Sequence, residues 1–321
     1  MKNTVIMYCP LNDGHIVRKI HEFAQKTFEE KVENFRNEYG TIQLKGTNEF
    51  QKIICNLPVI DIQNSDILVF DKEIVDYENQ HRLDEFWKKH QMELEKPTVP
   101  KSTDRKIYFA VVALMQLKAF WNKKHKAEKH EYVIPAKEVH IQRNLKIRGY
   151  RLNDVRIALG KNSNEISAYI DLGGDINIRL SDLTAFGDKK KLDIHNEKCL
   201  YELVVSTDIK YCYNGTLIAP CVGERMTVPD HLKSIGWESK DFLYQVNVES
   251  SKALTKLKLN EKGVEARAET IANVSMLIGC SLHNIPKTYR LIITHGLVVD
   301  IRYKNQPIFI AYIPQKNFQT V

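Results

Sequence analysis

Leu257-Lys258-Leu259-Asn260-Glu261-Lys262-Gly263-Val264-Glu265-Ala266-Arg267-Ala268-Glu269-Thr270, running on to Leu277, is the stretch whose reading decides the fold. Leu257 and Leu259 alternate with Lys256 and Lys258, the period-2 pattern of a half-buried strand. Gly263 interrupts the run, and glycine lets a backbone turn without steric cost. Beyond it the alternation resumes. Val264, Ala266, Ala268, Thr270, Ala272, Val274 and Met276 share one parity, and Glu265, Arg267, Glu269, Ile271, Asn273, Ser275 and Leu277 share the other. A strand with one face of small, uncharged side chains can enter between neighbouring strands without overpacking a core. The same residues also suit a surface helix, because Ala, Glu, Arg and Met are good helix formers and Val264, Ala268 and Ile271 lie at helical spacing.

Glu261-Lys262-Gly263-Val264-Glu265-Ala266, preceded by Lys252-Ala253, resembles the hinge of the serpin reactive-centre loop. The family's pattern there is Lys-Ala, a strand, then Glu-Glu/Lys-Gly-Thr-Glu-Ala and small residues. The resemblance implies an α+β fold with a large mixed or antiparallel sheet, flanking helices and an exposed reactive-centre loop over about 261–286. It makes Glu261, Lys262, Gly263, Val264, Glu265, Ala266, Arg267, Ala268, Glu269 and Thr270 the loop hinge. Family spacing counted from Glu261 puts the reactive bond between Leu277 and Ile278. Val264 stands for the usual Thr or Ser, and Arg267 and Glu269 stand where the family has Ala. Both charges fall on the outward parity, where water is expected to keep them.

Other stretches add weaker resemblances across a single domain, 1–321. Ile20 to Phe35 is similar to a family stretch running from a helix into a short strand, within a helix expected over His15 to Phe35 from Ile16, Ile20, Phe23, Ala24, Phe28 and Val32. Leu83 to His90 is similar to the family's Ile-Asn-x-Trp helix, Ile107 to Trp121 to its central strand, and Gln306 to Ile310 to its Arg-Pro-Phe strand. Thr216 to Pro220 and Met226 to Gly236 resemble a strand and the helix after it. Leu200 to Val205 reads as a strand and Leu180 to Phe186 as a short helix. Residues 38–77 read as an insertion, and Tyr289 to Ile301 as extra strand-like material. By this alignment the family's first four helices, one core strand and the last C-terminal strand are missing.

At 321 residues, with 43% hydrophobic and 27% charged side chains, the chain can bury a sizeable core of ordinary globular composition. A net charge of +7 is modest at this length. The basic groups Lys123, Lys124, Lys126, Lys129 and Lys189 to Lys191 read as solvated surface rather than a nucleic-acid groove, and they leave room for a polyanion such as a glycosaminoglycan. Cys9, Cys55, Cys199, Cys212, Cys221 and Cys280 show no CxxC pair or zinc spacing, so free thiols are expected. No apolar run approaches a membrane span. Met1 to Pro10 lacks a signal-peptide core, whereas family analogy places the protein outside the cell.

The sequence carries no GxSxG, GxGxxG, Walker or HExxH motif, so neither an enzyme nor a bound cofactor or metal is expected. The family activity implied is inhibition of a serine or cysteine protease by covalent trapping and loop insertion. Leu277 suits a deep apolar primary pocket, so the target expected is chymotrypsin-like or cathepsin-like. Two other readings stay open: a non-inhibitory binding, carrier or chaperone protein whose loop never inserts, and a decayed serpin fragment.

Overall fold

The computed structural model describes residues 4–31, 67–102, 108–136, 143–160, 166–186, 194, 196–206, 209–234, 250–270 and 289–321. The strands are, in chain order, β1 (Ile6–Tyr8), β2 (Leu68–Val75), β3 (Ala110–Phe120), β4 (Glu128–Ile134), β5 (Leu145–Gly160), β6 (Ile166–Gly173) and β7 (Ile176–Asp182). They continue with β8 (Ile209–Pro220), β9 (Val222–Pro229), β10 (Lys252–Leu259), β11 (Gly263–Thr270), β12 (Tyr289–Ile292), β13 (Gly296–Tyr303) and β14 (Gln306–Pro314). The helices are α1 (Pro10–Lys31), α2 (His81–His90), α3 (Glu197–Ser206) and the single turn α4 (His231–Ser234).

Among the described residues these strands form two sheets. The larger runs β1-β14-β13-β7-β6-β5-β8-β12, with β4 also on β5, and is antiparallel except for the parallel β12–β8 pair. The smaller runs β2-β3-β11-β10-β9 and is antiparallel throughout. The architecture is therefore α+β and built on sheets.

The smaller sheet lies between two helices. Val111, Ala113, Met115, Leu117 and Ala119 of β3 join the main core with Leu11, Ile16, Val17 and Ile20 of α1. The alternate residues Val112 and Leu114 point the other way, and pack with Leu83 and Phe86 of α2, Val75 and Val99. Burial on both faces explains why β3 reads as a nearly unbroken apolar run. Pro10 opens α1, a position where its missing N–H is not needed.

Several expectations change. Leu200 to Val205 is part of α3, not a strand: Asn196 accepts the Cys199 N–H at 2.9 Å as an N-cap, and Leu200 and Val204 bury together at helical spacing. Leu180 lies within strand β7, which runs to Asp182, and only Leu183–Phe186 form a 3₁₀ turn. Met226 and Val228 belong to edge strand β9, whose half-buried and exposed residues alternate before Pro229 stops it, and the helix starts at His231. The helix that contains Leu83 to His90 starts at His81 and stops at His90, where Gln91 turns left-handed (φ 49°). Residues 68–75 of the expected insertion are strand β2, and Tyr289 to Ile301 contributes β12 and most of β13, so both are integral to the sheets. Lys52 to Leu57 and Val139 to Ile141, two further runs whose apolar residues read as strands, lie outside the described residues.

Candidate functional site

The hinge stretch is the central strand of the smaller sheet. β11 pairs with β10 along Ala253↔Thr270 to Leu259↔Val264, and with β3 along Gly263↔Phe120 to Thr270↔Ala113. The strand reading of Gly263–Thr270 holds over the helix. Of the expected exposed loop, 261–270 is thus a turn followed by a strand inside a sheet. Leu277 and Ile278 lie outside the described residues, as does everything from 271 to 288.

The connection from β10 is a short turn held by Trp121. The Trp121 indole donates to the Asn260 carbonyl at 2.7 Å, its backbone N–H donates to the Lys262 carbonyl at 3.1 Å, and the Asn260 side chain accepts the Lys262 N–H at 2.8 Å. Glu261 lies 3.9 Å from Lys129. Glycine at 263 serves close approach more than turning: a Cβ there would sit 2.0 Å from the Ala119 carbonyl oxygen of β3.

On the inner face Val264, Ala266 and Ala268 are fully buried in the core that α1 covers. The first turn of α1 also binds the strand directly, because the Asn12 amide donates to the Ala268 carbonyl at 3.0 Å. One residue on, Asp13 meets His231 of α4 at 2.9 Å, both buried. Burial pushes the Asp13 carboxyl up. Burial opposes a charged His231, but Asp13 beside it outweighs that and raises the imidazole. Leu232 and His231 are tied in turn to Ser251, just before β10.

The outer face departs from the sequence expectation. Glu265 is exposed, 3.8 Å from Lys118 and 3.5 Å from Lys258. Water does not hold the other two charges: the Arg267 side chain is 17% exposed and that of Glu269 is 0%. They lie under the C-terminal end of α2 and the 91–95 segment, which crosses the sheet there. Arg225, Lys252 and Lys256 from β9 and β10 pair with Glu93 and Glu95 of that segment. The hydrogen bond from Lys256 holds the Glu93 carboxyl below its ordinary range. No periodicity signals this burial, since the covering segment comes from a part of the chain more than 170 residues away.

Elsewhere, Cys9, Cys199, Cys212 and Cys221 are free thiols. Among the described residues no three His, Cys, Asp or Glu side chains gather in a metal-holding group. Lys123, Lys124 and Lys126 are exposed, but Glu128 and Glu131 interleave with Lys129 on β4, so the patch is of mixed charge.

A central strand entered from a short turn, flanked by antiparallel neighbours and covered by one helix on each face, can be compared with known folds. Over 97% of this chain and 93% of the other, it matches a loop-inserted structure of a cleaved ovalbumin mutant, with a TM-score of 0.55 at 13% identity. The fold is serpin-like. The serpin-like arrangement also matches tengpin, a thermophilic serpin in the latent state, over 98% of this chain and 92% of that one (TM-score 0.51, 12% identity). Serpin48 of the insect Tenebrio molitor matches over 97% and 92% (TM-score 0.50, 9% identity). No family model and no curated protein sequence matches the chain.

Proposed function

We propose that the chain is a serpin that inhibits a serine or cysteine protease by trapping it covalently. The observation carrying this reading is the fit of Gly263–Thr270 between β3 and β10, with Val264, Ala266 and Ala268 buried and no bulky or charged side chain on that face. A sheet that accepts this strand has the property trapping requires. The protease nucleophile attacks the Leu277 carbonyl, the Ile278 amine leaves, and the acyl-enzyme is held while the freed strand enters the sheet. The similar ovalbumin and tengpin structures are loop-inserted and latent forms, in keeping with a sheet of this kind.

Incubation with chymotrypsin-like and cathepsin-like proteases, followed by denaturing electrophoresis and mass spectrometry, tests the proposal. A covalent complex of summed mass, with cleavage between Leu277 and Ile278, is the expected result. Clean turnover without a complex, or stable trapping by a trypsin-like enzyme at Arg267 or Lys287, overturns it.

A second reading, a serpin-fold binding protein without inhibitory activity, is favoured by Arg267 and Glu269. Their contacts suit a strand that resides in the sheet without cleavage. Turnover without a complex would favour that reading.

A further inference from the structure

Arg267 and Glu269 occupy positions of small residues in the hinge pattern, and both are fully engaged. The Arg267 guanidinium donates Nη2 to the carbonyls of His90 at 2.8 Å and Gln91 at 3.3 Å, Nη1 to the Gln116 side chain at 3.1 Å, and Nε to Glu269 Oε1 at 2.8 Å. Glu269 Oε2 accepts the backbone N–H groups of Glu93 and Leu94, each at 3.0 Å. The four backbone groups served belong to the end of α2 and the segment that follows. The last carbonyls of a helix have no partners within it, and a cation there also meets the negative end of the helix dipole. A buried carboxylate with three donors is well satisfied, whereas removing one member of such a pair strands the other's charge.

We propose that Arg267 and Glu269 are a latch that fastens the inserted strand to the C-terminal end of α2, so that seating of the 91–95 segment and occupancy of the sheet are one cooperative event. The proposal rests on β11 as an inserted strand and not on inhibition. When the strand leaves, both charges leave with it, and His90, Gln91, Glu93 and Leu94 lose their partners together. The exposed ion pairs of Glu93 and Glu95 remain available but contribute little by comparison.

Hydrogen–deuterium exchange on the full chain, resolved at the Glu93 and Leu94 amides, tests the latch. In the loop-cleaved protein, where β11 occupies the sheet, these two amides should be protected like those of β11. Glu269→Ala should speed their exchange at least tenfold while the β9–β10 ladder is unchanged, and the isosteric Glu269→Gln should act in the same direction. The effect of Glu269→Ala should shrink in an Arg267→Ala background, because the two side chains act through one contact. Unchanged protection at both amides in the Glu269 variants, or strictly additive effects, overturns the proposal. If Glu269→Ala does not fold, Glu269→Gln and the loop-cleaved protein's resistance to trypsin at Arg267 still decide it, and rapid cleavage at Arg267 in that form counts against the latch. Covalent trapping is scored separately, so either idea can fail while the other stands.

Discussion

β11 and β14 are both interior strands with an antiparallel neighbour on each side, yet they are fastened in opposite ways. Every residue of β14 is buried, and Ile308, Phe309, Ile310, Tyr312 and Ile313 supply bulk to both faces. β11 buries one valine and two alanines on its inner face, and its outer face is held by charge and hydrogen bonds. Each region also encloses a carboxylate. Asp300 lies beside Arg179 (3.2 Å) and Arg302 (2.7 Å), whose guanidinium groups also reach the Val204 carbonyl near the end of α3. Glu269 and Arg267 repeat that helix-end device at α2. The Asp300 group ties elements whose apolar packing is already complete. The Glu269 group ties a helix to a strand of small volume. A strand that enters a finished sheet cannot depend on bulk, because a close-packed protein does not keep a large slot open in advance. Small side chains need little space, and directional polar contacts form once the register is right.

Truncation tests this contrast most severely. Phe309→Ala should cost about 3–5 kcal/mol in urea-induced unfolding, by cavity formation in a core that cannot collapse. Val264→Ala, at about 0.8 kcal/mol per buried methylene, should cost about 1–2 kcal/mol. Equal losses at the two sites would show that β11 is held by bulk after all.

A charge on the small face should come next. Ala268→Asp would bury an unpaired carboxylate, a penalty of several kcal/mol that expulsion of the strand avoids. The expected result is loss of the rise in melting temperature on loop cleavage, with Glu265→Lys as an exposed control that retains it. A rise as large as that of the native chain would mean that the inner face tolerates charge.

Asn12 sharpens the comparison from the other side of the sheet. Asn12→Ala removes its hydrogen bond to the Ala268 carbonyl and should cost about 1 kcal/mol in the inserted form. The loss should disappear in an Ala268→Asp background, where the strand is already out. Persistence of the full effect there would place the role of Asn12 within α1 instead.

The smallest effect is electrostatic. Burial opposes ionisation of Asp71 on β2, but hydrogen bonds from Lys89 and His90 of α2 outweigh it, so its pKa lies below the ordinary 3.8. A lowered folded-state value means stability present above about pH 4 and lost as pH falls through the folded pKa. Asp71→Asn should remove a small part of the acid-side decline in melting temperature and leave the neutral-pH latch contacts intact. An acid profile identical to that of the native chain would show that Asp71 does not anchor α2.

Much of this fold was legible because local pattern and burial agree. The alternation of Leu257, Leu259, Val264, Ala266 and Ala268, broken at Gly263, marks two strands and a turn. The apolar run in β3 and the helical spacing of Ile16 and Ile20 mark elements that the structure retains. The apolar run from Leu200 to Val205 suits a strand as well as a helix, and the Asn196 cap just before it decides for the helix. Tertiary structure alone decided that β11 sits between β3 and β10, that Gly263 is required by the Ala119 carbonyl, and that Glu269 is buried. The physical reason is separation along the chain. Period-2 parity says which side chains share a face, but what covers that face here comes from residues 90–94, and a charged residue reads as exposed until its distant partner is in place.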